Sequence, residues 1–228
     1  ALGACSGDKA GKESSQITIG IPQDVDSLDP HKAVAAGTKE VLFNVFEGLV
    51  KPDSEGNLND AVAESHTISE DVKYSIDRCA DTSNGDPLVS AFLAIDSVNI
   101  IDEKTVEIVL KEGNTDFLPY LTAAIIPAAN EDPESNPIGT GPYKYVSRSP
   151  QENVILEKFD EYWGTPANID TVKLQVIANA DTIVTSLNGG SVDMFARISK
   201  AQADQLSDDF DVLEGTMNLV QAMYLNNA

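Results

Sequence analysis

Two histidines, two cysteines and a large excess of carboxylates are the raw material for chemistry in this sequence. His31 and His66 stand far apart, and no HExxH or CxxC spacing accompanies them, so the usual ligand pattern of a zinc site is missing. Ser-His-Asp catalysis needs a histidine beside a serine on a sharp turn, and no G-x-S-x-G segment occurs. Carboxylate pairs for glycoside hydrolysis can be drawn many times over from 37 acids, which makes their presence uninformative. Sugar sites also favour stacking aromatics, yet Trp163 is the only tryptophan. GTGPY, residues 139–143, lacks the Lys-Ser/Thr ending of a phosphate loop, and Pro142 with the strand pattern behind it denies it a helix N-terminus. Its glycines read as backbone geometry ahead of a strand. Asp53, Glu55, Asn57 and Asn59 superficially suggest a calcium loop, but Gly56 is misplaced and no glutamate closes it. That stretch reads as a solvated turn. No metal and no cofactor is expected.

Composition narrows the partners. The 228 residues allow one large domain or two small ones, and 42% hydrophobic with 23% charged residues is ordinary for a globular protein. Fifteen basic against 37 acidic residues leave a net charge of −22. Nucleic acid is thereby excluded as a partner, since phosphate binding needs a basic footprint. The same charge favours solubility in a crowded or extracellular setting.

The elements that must position any site follow from periodicity. QITIGI alternates Ile17, Ile19 and Ile21, which predicts a half-buried strand running into the loop PQDVDSLDPH. GTKEVLFNVFEGLV places Val41, Leu42, Val45, Phe46 and Leu49 at helical spacing with Gly48 as its cap. Thr67 and Glu70 form a capping box for the next helix, whose buried face carries Val72, Ile76 and Cys79. Cys79 is thus a small buried hydrophobe rather than a nucleophile. SVNIID and TVEIVL make a hairpin, FLPYLTAAIIPAA a helix, and TGPYKYVSRSPQENVILEKF two strands around a Ser-Pro turn. ADTIVTSLNGG is a short helix stopped by glycines, VDMF a strand, SKAQADQL a helix capped by Ser199, and NLVQAMYLNN a final strand. The fold class is mixed α/β.

The start of the chain has its own logic. LGAC precedes GDKAGKESSQ, a flexible linker, and its apolar side is too short for a membrane span, which takes about 20 residues. LGAC resembles the lipobox of bacterial lipoproteins, and this resemblance implies lipidation of Cys5, which leaves Cys79 single and no disulfide framework. Residues 1–15 are then a signal remnant and tether, and 16–228 the folded part.

SLDPHKA, FNVFEGLV, AESHTI, EDVKYSIDR, NPIGTGPYKYV, VILEKFDEYWG and LNGGSVDMF occur in an order that resembles one family. That family is the extracytoplasmic solute-binding proteins of ABC importers, in the group with oligopeptide-, dipeptide- and nickel-binding members. The resemblance implies a type II periplasmic-binding-protein lobe, the N-terminal one, ending at the hinge crossing. Two departures accompany it. Family members continue into a second large lobe that is largely absent here, and a β-hairpin expected between Ser69 and Glu70 has no counterpart. A lone lobe is expected to bind weakly.

By resemblance, the function is non-catalytic capture of peptides and their delivery to permease subunits. The full-length protein is expected to be monomeric and extracytoplasmic, held to the bacterial membrane through Cys5 or periplasmic. The matching ligand positions are Gln23, Asp24, Val25 and Asp26 after the first strand, Phe195, Ala196 and Arg197 after VDM, and Met223 and Tyr224 on the last strand. Asp24 or Asp26 can pair with a peptide amino terminus, and the backbone around Val25 can bond an extended ligand. Nickel chelates or oligosaccharides are the alternatives within the fold; a secreted acidic hydrolase or a structural surface lipoprotein are the alternatives outside it.

Overall fold

The computed structural model describes residues 15–53, 55–61, 69–83 and 85–214. In chain order these form β1 (Gln16–Ile21), α1 (Ala36–Leu42), β2 (Val50–Pro52), β3 (Leu58–Asp60), α2 (Ser69–Ala80), β4 (Ile95–Asp102), β5 (Thr105–Leu110), β6 (Tyr143–Ser149), β7 (Asn153–Lys158), β8 (Thr171–Val176), α3 (Ala180–Asn188), β9 (Met194–Phe195) and α4 (Lys200–Ala203). Period-two alternation explains the main sheet. Val154 and Leu156 on β7, and Val172 and Leu174 on β8, point to one buried face, where Ile17, Ile19 and Ile21 of β1 join them. The strand order is β6-β7-β8-β1-β9. β1 runs parallel to both β8 and β9, while β6, β7 and β8 are antiparallel. Two further hairpins, β2–β3 and β4–β5, stand apart from this sheet.

Three apolar cores result. The first packs Val41, Leu42, Val45 and Phe46 against the sheet. The second joins Val72, Ile76 and Cys79 of α2 to Phe92, Val98, Phe117 and Ile125. The third lies beyond Ile177, where α3 contributes Ile183 and Leu187. Cys79 is 1% exposed, and burial pushes its thiol pKa up to about 12, as suits a core residue. α3 is capped by Asn179, and α4 by Ser199 in a reciprocal capping box with Gln202. The Thr67 cap, the final strand and the Cys5 tether lie outside the described residues.

Two helices differ from the periodic pattern, for one reason. α1 ends at Leu42 and does not continue to Gly48, because the carbonyls of Asn44 and Val45 accept from the N–H groups of Tyr143 and Gly141. Those backbones approach so closely that a Cβ on Gly139 would collide with the Val45 carbonyl oxygen. Gly48 likewise is no helix cap: a Cβ there would stand 2.5 Å from the Leu121 oxygen. FLPYLTAAIIPAA is correspondingly not an α-helix. It makes one 3₁₀ turn, Leu118–Thr122, and then runs extended so that Leu49 N–H reaches Leu121 and Ile125 N–H reaches Glu47. Residues 53 and 55–57 belong to a turn, as expected, but it joins the short strands β2 and β3. The Asp53 carboxylate accepts from the N–H groups of Glu55 and Asn57 within that turn.

Glu47 fastens this region to the DEYWG segment. It is 6% exposed and accepts from Lys51 Nζ (2.8 Å), the Tyr162 hydroxyl (2.8 Å) and Trp163 Nε1 (3.0 Å). Burial works against the Lys51 charge, but its hydrogen bonds to Glu47 and Tyr162 outweigh this and raise its pKa. Removing the carboxylate strands three donors at once. Glu47→Ala is expected to cost about 2–3 kcal/mol, since Lys51 keeps some contact with water. Urea unfolding followed by the fluorescence of the single tryptophan, Trp163, reads this junction directly. An unfolding midpoint unchanged from the parent would show that Glu47 carries no such load.

Candidate functional site

The segment between β1 and α1 is bound on all sides by polar groups. Asp24 accepts from Arg148 Nη2 (2.8 Å), Gln151 N–H (2.8 Å) and Val25 N–H (2.8 Å). Burial raises its pKa, but Arg148 and the backbone donors outweigh that and lower it. Val25 is itself buried in the first core, and its carbonyl accepts from Arg148 at 2.7 Å. Asp26 accepts from Val34 N–H and Ala35 N–H, both at 2.9 Å, and its own N–H donates to Thr38 Oγ1. The N-cap residue of α1 is Ala35, which has no capping side chain. Asp26 supplies that cap from upstream. A hydrogen bond from the Thr38 side chain to the Asp26 carboxylate, with the two backbone donors, lowers its pKa to about 2.

Further along, Asp29 has a fully buried side chain and receives a two-pronged donation from Arg78 on α2. Arg78 Nη1 also donates to His31 Nδ1 at 2.6 Å. A guanidinium has no acceptor, so Nδ1 must accept and Nε2 must carry the proton. Nε2 accordingly donates to the Ala124 carbonyl at 2.7 Å. Burial is the main cause of a lowered His31 pKa, and the Arg78 charge adds to it; the Ala124 hydrogen bond and Asp29 only partly offset them. His31 is a neutral, fixed wall.

That wall belongs to a cavity of about 260 Å³ between the first and second cores. Pro30, His31 and Ala33 form one side, Lys39, Leu42, Phe43 and Phe46 another. Cys79, Leu88 and Val89 form the third, and Pro119, Tyr120, Thr122, Ala123 and Ala124 the fourth. Phe43, Leu88 and Tyr120 remain 58%, 47% and 45% exposed at it. Large apolar side chains held at a concave opening are the usual lining of a small-molecule site. The volume is just below the ~300–1,000 Å³ of drug-sized pockets and suits one side chain or end group.

A second group of residues gathers where the parallel strands end. Ligands of open α/β sheets lie outside the carboxyl ends of such strands. Gln23 reaches Gly37 at the start of α1, and the Phe195 ring covers Gly20 of β1. Arg197, in the left-handed region at φ 67°, pairs with Glu40 of α1. The structure thus brings Gln23, Phe195, Ala196 and Arg197 to the edge that α1 shares with the cavity. It commits the Asp24 and Asp26 carboxylates and the Val25 backbone to holding the loop. Met223 and Tyr224 lie outside the described residues. Sequence reasoning missed the cavity walls His31, Lys39, Phe43, Leu88 and Tyr120. The only signal was Arg78, a charge adjoining the apolar face of an amphipathic helix.

The Asp26 cap makes a pH dependence. Its folded pKa of about 2 lies below the unfolded value of about 3.9, so its contribution is complete above the unfolded value and is lost as pH falls toward 2. Asp26→Asn should flatten the fall of the thermal midpoint between roughly pH 4 and pH 2. Parallel curves for parent and variant would remove the cap from the account.

The sequence profile of the bacterial extracellular solute-binding proteins, family 5 Middle, matches residues 68–228. The glutathione-binding protein GsiB of Escherichia coli (strain K12) is 26% identical over 233 residues, covering 87% of this chain and 45% of GsiB. Among solved structures, DppA from Helicobacter pylori in complex with peptide STSA matches with a TM-score of 0.76 at 20% identity, over 84% of this chain and 48% of DppA. NikZ from Campylobacter jejuni in complex with Ni(L-His) matches with a TM-score of 0.69 at 21% identity, over 78% and 42%. The chain therefore spans about half the length of the relatives it matches.

Proposed function

The chain belongs to the bacterial extracellular solute-binding proteins, family 5, and from that premise we propose that it captures small peptides outside the membrane for an ABC importer. Its mixed sheet is one lobe of a type II periplasmic-binding-protein fold. The observations that carry the reading are the apolar-walled cavity beside α1 and, at Gly37 and Glu40 of the same helix, the edge where Gln23, Phe195, Ala196 and Arg197 collect. In this reading a peptide lies along that edge and places one side chain or end group in the cavity. Asp24 and Asp26 hold the loop that shapes the edge, and Met223 and Tyr224 belong to the same ligand set. Closure of the full-length receptor excludes water from the bound solute, and contact with permease subunits reopens it. The glutathione named for GsiB and the peptide bound to DppA support a peptide ligand.

The chelate reading, prompted by NikZ, has less support in these residues. Both ring nitrogens of His31 are committed, and among the described residues no three His, Cys, Asp or Glu side chains group to hold a metal ion. A ligand that binds only the folded state at a hundred times its dissociation constant stabilises by about 2.7 kcal/mol. Thermal unfolding of the full-length protein with di- to tetrapeptides should therefore show a rise of the midpoint. A rise with nickel–histidine and none with any peptide would replace the peptide reading by the chelate one.

We also propose that Cys5 anchors the protein as a lipoprotein. Among the described residues no helix is long and apolar enough to cross a membrane. Each buried methylene contributes about 0.8 kcal/mol, and two chains suffice for stable anchoring. Cys5→Ser should move the full-length protein from the membrane fraction to the soluble one; a parent already soluble after signal removal would sink the anchor.

A further inference from the structure

The cavity beside α1 has an unbalanced wall. In a chain with 37 acidic residues and 15 basic ones, no Asp or Glu lines it, whereas Lys39 does. The neighbouring cations are all committed: Arg78 to Asp29 and His31, Lys32 to Asp29, Arg197 to Glu40. No hydrogen bond or ion pair engages Lys39 Nζ among the described residues. Two acids on the flanking segments are committed too, since Asp29 faces Arg78 and Lys32 while Glu40 faces Arg197. More distant carboxylates count for little, because exposed charges are screened over about 8 Å at physiological ionic strength. His31 contributes no charge. Lys39 is exposed at the rim and lines the cavity with Leu42, Phe43 and Leu88, so an anion whose apolar part enters the cavity is brought beside its ammonium.

We propose that Lys39 reads a carboxylate on the solute, so that this lobe selects ligands in which an apolar group adjoins a negative charge. The proposal deepens the solute-capture reading and rests on the cavity as the place of capture. The apolar group fills the space between Phe43, Leu88 and Tyr120, and the carboxylate stays near the opening, where the ammonium of Lys39 meets it. A peptide ends in such a pair when its last side chain is apolar. A free amino terminus, by contrast, finds no carboxylate partner on this wall.

The competing role for Lys39 is local: a cation in the last turn of α1 favours the helix dipole. Lys39→Met separates the two, because methionine keeps comparable helix propensity and loses the charge. The experiment is calorimetric titration of the full-length protein and this variant with two matched pairs of probes. One pair is phenylbutyrate and phenylbutanol; the other is alanyl-phenylalanine and its carboxy-terminal amide. The parent should favour each acid over its neutral partner by roughly tenfold, the worth of one charge-assisted hydrogen bond. Lys39→Met should abolish that preference, bringing the ratio of acid to neutral affinity to about one, and Lys39→Arg should retain it. Equal affinity for acid and neutral forms in the parent overturns the proposal, as does a preference that survives in Lys39→Met. Binding of both peptide forms alike leaves the peptide reading standing and removes this one. A Lys39-dependent preference among the phenyl probes with no peptide binding does the reverse. No binding by any probe at millimolar concentration removes the cavity as a site, and this proposal with it.

Discussion

Asp29 is a fully buried carboxylate, and the geometry around it hangs on the guanidinium of Arg78. A charge taken out of water costs several kcal/mol unless geometry and additional hydrogen bonds compensate. Here the compensation is complete: Arg78 donates to both oxygens, His31 N–H donates to one of them, and Lys32 stands 3.4 Å from the other. Burial raises the Asp29 pKa, yet Arg78 more than reverses this and holds it below the usual carboxylate range. The bond also links two bodies. Asp29 belongs to the loop leaving the main sheet, Arg78 to α2, whose buried face is part of the second core.

The same joint is reinforced by groups that are individually modest. Glu134 accepts from the Ser27 hydroxyl and from the N–H groups of Leu28 and Asp29, pinning the loop from outside. Ser75 on α2 accepts from Ile126 N–H and donates to the Ile126 carbonyl. Backbone pairs between residues 47–49 and 121–125 complete the contact. Fixing the loop in this way sets where α1 begins, and α1 in turn presents Lys39 to the cavity and Glu40 to Arg197. The candidate site is thus an outcome of loop geometry imposed by distant partners.

That dependence explains what could be read in the sequence. The β4–β5 hairpin, β7 and α2 follow from side-chain periodicity, because each has one face toward water and one in a core; β1 follows from the alternation of Ile17, Ile19 and Ile21, although Phe195 covers its other face at Gly20. α1 and the 118–127 stretch were misjudged because their apolar residues sit at helical spacing while their carbonyls are claimed by backbones far away in the chain. Periodicity reports which side is apolar; it is silent about who takes the hydrogen bonds. The edge residues Gln23 and Arg197 were legible through their place after strands that carry a family pattern. The cavity walls were not, since Phe43, Leu88 and Tyr120 each look like an ordinary apolar residue until separate segments are folded together.

An apolar seam between the two cores would have closed on itself, because dispersion and water exclusion reward every contact and protein interiors pack to crystal-like density. Directional bonds behave otherwise. An ion pair or an imidazole–carbonyl hydrogen bond has a preferred length, and it resists compression as well as extension. Asp29–Arg78 and His31–Ala124 therefore work as struts that hold two apolar surfaces at a set distance. The cavity between Phe46 and Val89 is the gap those struts keep open.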